Sequence, residues 1–250
     1  MNSHYRKLIA NEFRDCVNNT IQRISNKDSD YRPFHSALLS DDVIFWSAFE
    51  RSFSTSFGQR VIEEVARLVA LSNGADSAEK QHYTYIDIDV AYENAIAQHL
   101  LMLRQGNRTD PWNNVIRSII AIQPSGRTKN IRVISDLWWH KNGVDNYISL
   151  KTVKPNIDQT MVAKEDCLRL TVNDPNCKAY FGLPYNPYGE ETTSYAHNPP
   201  MKVFDFINDP CVLIGRDMWD TIGGNGCYDE LIEIASTVGQ ETRNKISGLR

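Results

Sequence analysis

The chain is 250 residues long, 41% hydrophobic and 23% charged, with a formal net charge of −4. These values suit one large or two small globular domains and exclude a chain that is disordered over most of its length. The acidic balance argues against a histone-like binder of nucleic acid, but not against an enzyme that gathers carboxylates around metal ions.

In chain order, residues 1–25 read as a helix, with Leu8, Ile9, Phe13, Val17, Ile21 and Ile24 at helical spacing. A polar turn is expected at 25–33. Asp41 or Asp42 could cap a helix through Phe45, Trp46 and Phe49, broken at 52–58. Residues 59–72 are an amphipathic helix with Val61, Ile62, Val65, Leu68 and Val69 in one arc. Strand character at 83–90 gives way to a helix at 91–104, a loop at 106–114 and a short helix or strand at 116–122. Residues 131–139 and 147–151 read as two strands of a hairpin with a longer loop, turned at Asn142-Gly143. A helix follows at 158–170 and a strand at 179–183. Residues 184–200 form a long irregular loop, followed by short strands at 203–207 and 211–214. Helices at 216–222 and 228–238 close the chain. No linker divides it, so one domain is expected, a mixed sheet flanked by helices. No run of roughly 18 apolar residues is long enough to span a membrane, and no leader-like stretch opens the chain. The five cysteines form no CxxC pair, so zinc is not expected and the reducing cytoplasm is the natural compartment.

The chemistry concentrates in the hairpin. Asp136 lies on one strand, while Ser149 and Lys151 share a face of the next because their spacing is two. A carboxylate beside a lysine is what metal-dependent phosphodiester hydrolysis needs. The acid holds a cation that stabilises charge on the phosphate, and the lysine orients or deprotonates the attacking water. On the next helix Glu165 lies beside the apolar face of Ile157, Met161 and Leu168. A carboxylate there requires a metal or a boundary salt bridge, with Lys164 or Arg169 as partner. Asp87 and Asp89 share one strand face, as a second metal site or as a solvent-facing edge. There is no GxSxG, GxxxxGK[ST] or GxGxxG, which argues against a serine hydrolase, an NTPase and a dinucleotide enzyme.

These residues resemble the PD-(D/E)xK core of type II restriction endonucleases. Asp136 takes the metal-aspartate position, and Ser135 stands where the motif has Pro. Ser149 stands where most members have an acid. That substitution is similar to the NgoMIV-like branch, whose S-x-K-x13-E spacing takes the missing carboxylate from the following helix, and Glu165 has that spacing from Lys151. Residues 56–64 and 212–224 resemble the first core helix and the late strand-to-helix segment of enzymes of the TdeIII kind. The resemblance implies a restriction-endonuclease-like α/β core with a helical N-terminal region. It forms a single nuclease domain over 1–250: an N-terminal part at 1–55, a core at 56–224 and a C-terminal helix at 225–250. It also implies Mg2+-dependent cleavage of double-stranded DNA at a short palindrome by a homodimer, each subunit cutting one strand. Asp136, Lys151 and Glu165 would be catalytic, and Asp136, Glu165 and a glutamate of the first core helix would hold metal. The wheel puts Glu64 beside the apolar arc and Glu63 opposite it, favouring Glu64. The resemblance does not choose, and a solvated pairing with Arg60 or Arg67 stays open for both.

DNA contacts are expected from the 184–200 loop, with Tyr185, Asn186, Glu190, His197 and Asn198 offered to base edges. Lys151, Lys154, Lys164, Arg169 and Lys178 would meet phosphates. A repair or recombination nuclease of the same superfamily and a catalytically silent DNA-binding module are the alternatives.

Overall fold

The computed structural model describes residues 1–26, 31–107 and 110–249. The expected turn at 25–33 and loop at 106–114 lie partly outside the described residues. Asn2 caps α1 (Ser3–Ser25) by accepting from the Tyr5 amide. The short helix α2 (Pro33–Leu38) leads to α3 (Asp41–Ser56), where Ser40 is the cap and Asp41 and Asp42 fill the first turn. The break expected at 52–58 does not occur. The rod instead passes through a π-turn at Phe57–Val61 into α4 (Ile62–Ser72), so Gly58 is tolerated within a continuous helix.

A mixed sheet of five strands runs in the order β1-β2-β3-β4-β5. Its strands are β1 (Ser77–Asp89), β2 (Thr128–Lys141), β3 (Val144–Leu150), β4 (Lys178–Leu183) and β5 (Val212–Ile214). The first three are antiparallel, and β4 and β5 join in parallel. β1 begins six residues before the expected strand, because its first half is polar and one-sided. The β2–β3 turn is a tight two-residue loop rather than a longer one. Asn142 and Gly143 both have positive φ, +55° and +75°, which a primed hairpin turn demands. The strand expected at 203–207 is a turn. Val203, Phe204 and Phe206 are buried by packing rather than by pairing, and the Asp205 and Asp209 carboxylates take up local amides.

Helices cover both faces of the sheet. On one, α5 (Val90–Arg104), α6 (Trp112–Ile120) and α7 (Ile157–Asn173) enclose Ile86, Ile88, Val133 and Phe181. On the other, α1, α4, α8 (Arg216–Gly223) and α9 (Cys227–Ser247) enclose Leu137, Trp139 and Ile148. α7 starts with a reciprocal capping box between Asn156 and Gln159. Among the described residues no helix is long and apolar enough to cross a membrane. All five cysteines are free and buried.

Candidate active site

The sheet forks where Asp136 and Lys151 lie. Pairing between β2 and β3 stops at Leu137–Ile148, while β2 stays bound to β1 and β3 to β4. Asp136 is the first residue of β2 past the fork. Lys151 lies just beyond β3, its amide donating to the Gly182 carbonyl at 2.9 Å. The two side chains meet across the opening, with Lys151 Nζ 3.0 Å from Asp136 Oδ2 and both half-buried. The strand pair also changes cores here. Val133 packs with the α5–α7 side and Leu137 with the α4 side, although strict alternation would put both on one face.

Gln81 of β1 stands opposite Asp136 and marks this change. Its φ is +50°, left-handed for a residue with a side chain. Its Nε2 donates to Asp136 Oδ1 at 3.2 Å and to Glu63 Oε1 at 3.0 Å. One amide thus ties the strand aspartate to the first turn of α4. Burial, and then the Asp136 charge, push the Glu63 carboxyl up. The Gln81 hydrogen bond and the Lys80 and Lys151 charges oppose them.

Glu64 turns the other way. Its carboxylate pairs with Arg67 at 2.6 Å and Lys80 at 2.8 Å. Burial works against ionisation, but these two partners outweigh it and hold the group below its ordinary value. The structure therefore brings Glu63, the residue the wheel disfavoured, next to Asp136. The reason is the width of the buried arc. Ala66 and Ala70 are fully buried, three and seven residues after Glu63, and they extend the packed face to Glu63's side of the helix.

Glu165 has its salt bridge. Its carboxylate lies 2.6 Å from Arg169, which also holds Glu93 of α5 at 2.6 Å. The neighbouring Asp166 is half-buried and feels the charges of Lys151 and Asp136. Burial pushes its carboxyl up to about 6. Arg169 and Lys151 pull it down, and Glu165 and Asp136 add to the rise. Sequence reasoning passed over Asp166 and Gln81. Asp166 carries no motif spacing, and Gln81 fell outside the strand as it was expected.

The 184–200 loop folds against the segment after Lys151. Tyr195 Oη donates to the Val153 carbonyl at 2.9 Å, His197 Nε2 bonds the Pro155 carbonyl at 3.0 Å, and Lys154 Nζ lies 5.3 Å from the Tyr188 ring centre. Asn186 is used inside the loop, donating to the Glu191 carbonyl and the Ser194 hydroxyl. Tyr185, Glu190 and Asn198 stay exposed. Lys164 does not face solvent. It is fully buried, and its Nζ donates to the Val203 carbonyl. Asp89 caps α5 and collects the Ser125 and Gly126 amides, a structural use.

Among the described residues, no three acidic, imidazole or thiol side chains close on one point. The donors at the fork are hard carboxylate oxygens. Mg2+ characteristically takes one or two of these and completes its shell with water and phosphate oxygens, so the residues fit such an ion.

Residues 1–239 match the family described as type II restriction endonuclease, HinfI. The chain belongs to that family. It is 32% identical over 244 residues to the type II restriction enzyme HgiEI of Herpetosiphon aurantiacus, spanning 95% of this chain and 87% of the relative. It is 29% identical over 254 residues to HgiCII of the same organism, spanning 97% and 89%. The expected resemblance was to enzymes of the TdeIII kind, whereas the family that matches is the HinfI one. The match covers the N-terminal helices as well as the sheet, so the helical region belongs to the type II restriction enzyme unit.

Proposed function

We propose that this type II restriction enzyme cuts both strands of double-stranded DNA at a short palindrome, with Mg2+ held by Asp136 and Glu63. The carrying observation is the Asp136–Lys151 pair at 3.0 Å in the sheet fork, with Glu63 joined to it through Gln81. A divalent cation, when bound, stabilises negative charge developing on the scissile phosphate. Asp136 and Glu63, both accepting from the Gln81 amide, are the carboxylates that would hold it. Lys151, a proton donor at hydrogen-bond range of Asp136, orients the attacking water and offers positive charge to the phosphate. Glu165, the acid at the S-x-K-x13-E spacing, is held by Arg169 and is the alternative metal carboxylate. Lys154, Tyr185, Glu190, His197 and Asn198 form the face offered to DNA, with Asn186 and His197 shaping the loop and the exposed members reading base edges. The whole chain acts as one nuclease domain, and two copies pair on the two-fold of the site.

The test is direct. Phage DNA incubated with the protein and Mg2+ should give discrete bands, while smearing would indicate a general nuclease and no cleavage a silent binding module. Asp136→Ala and Lys151→Ala should each abolish cleavage and leave DNA binding largely intact. Cleavage near the wild-type rate in either variant would remove the fork from the active site.

A further inference from the structure

A groove of about 1170 Å3 runs between α1 and α3, far along the chain from the 184–200 loop. Its walls carry Arg23 of α1, Arg32, Arg51 of α3 and Arg60 of the π-turn, with Asn19 and Ser52 between them. No described residue lining it is acidic. Arg51 and Arg60 are exposed and make no ion pair with a described residue, and the Arg23 guanidinium bonds only the neutral Ser56, Thr20 and Asn19. The charges of Arg23 and Arg60 both bear on Cys16, which lines the groove, and the Glu12 charge opposes them there. Among the described residues, Arg23, Arg51 and Arg60 are therefore gathered without an ion-pair partner in a chain whose net charge is −4. Like charges so placed repel one another until an anion arrives, and guanidinium forks match phosphate oxygens two by two. Arg60 precedes Glu63 by three residues, about one turn along the same helical rod.

We infer that this groove is a second DNA-binding site, where Arg23, Arg51 and Arg60 grip the phosphodiester backbone of duplex flanking the cut. The inference rests on the reading of the chain as a DNA endonuclease only for the choice of duplex as ligand. The site positions the duplex without reading bases, so it sets affinity and salt dependence rather than sequence choice.

The experiment measures duplex binding by fluorescence anisotropy over a salt series, in the full-length Asp136→Ala protein so that cleavage plays no part. A long duplex and one limited to the cut site are compared. Arg51→Gln with Arg60→Gln should weaken binding of the long duplex at least ~10-fold and lower the salt slope by about 2. The short duplex should bind as before, and Lys141→Gln should change neither value. Both charges are exposed, and melting curves of the variant should match the parent. Unchanged long-duplex affinity and slope would overturn the inference. So would displacement of the duplex by micromolar inorganic phosphate or a mononucleotide, which would assign the groove to a small phosphate ligand. Failure of the active-site reading would show separately, as cleavage that survives Asp136→Ala.

Discussion

Gln81 holds a conformation that costs roughly 1–3 kcal/mol in a residue with a side chain, and its amide joins Asp136 and Glu63 beside Lys151. Gln81→Gly should remove both the strain and the amide. Melting should rise or stay level, while cleavage at limiting Mg2+ falls at least ~10-fold and recovers in part at high Mg2+. A variant with both normal metal dependence and normal rate would deny Gln81 its positioning role. The two glutamates of α4 separate in the same assay. Glu63→Gln should cost orders of magnitude in rate at little cost in stability. Glu64→Gln should keep its rate and lose about 1 kcal/mol of stability with its Arg67 and Lys80 partners. A full loss in Glu165→Gln with Glu63→Gln unharmed would move the metal to α7. Away from the site, His99 gives the pH prediction. Burial first, and the Lys164 charge second, lower it from 6.5 to about 4, and its Nε2 is buried without a hydrogen-bond partner among the described residues. The unfolded chain takes up a proton near pH 6.5 and the folded chain only near 4. Stability is therefore complete above 6.5 and lost as pH falls toward 4, by about 2–3 kcal/mol. Denaturant melts of His99→Gln should lack most of that acid loss. A parallel pH profile in the two proteins would show that His99 is not its source.

Among the elements, the hairpin was the most legible part of the chain. Asn142-Gly143 announces its turn by backbone chemistry alone, and the alternation around it puts Asp136 on one strand and Lys151 at the end of the next, one residue beyond β3. The fork between those strands was not legible. It arises because β3 continues with β4 while β2 continues with β1, a competition between partners distant in sequence. The same limit explains α4. Local periodicity weighs large apolar residues, whereas Ala66 and Ala70 are buried only because neighbouring elements approach them closely. The 203–207 segment failed for the opposite reason, since its hydrophobic residues fill the core from a turn. The fork depends on close packing of β3 and β4 at Gly182. A methyl there would come within 3.1 Å of Met218 Sδ and closer still to Ile148. Gly182→Ala should cost about 1–3 kcal/mol by overpacking. Because the Gly182 carbonyl accepts the Lys151 amide, the rate should also fall at temperatures where the variant is fully folded. Loss of stability with an unchanged rate would show that Lys151 is positioned from elsewhere.

At the scale of the whole molecule, the site has one Asp136 and one Lys151, a single set of groups for a single phosphodiester bond. Cutting both strands of a palindrome then needs either two copies placed by a two-fold axis or two successive visits by one. An axis shared by protein and site would favour the dimer, since each copy would then meet the same bases in the same orientation. Light scattering of the Asp136→Ala protein on its duplex should give a protein mass near twice 28.6 kDa. Supercoiled plasmid with a single site gives the kinetic counterpart. A dimer should convert it to linear product with little nicked circle accumulating, because both bonds break within one bound complex. Mixing wild-type with excess Asp136→Ala subunits should then produce nicked circles, each mixed dimer cutting one strand. A monomer on DNA, nicked circle preceding linear product in the wild type, and no effect of the mixed subunits would together require separate visits to the two strands.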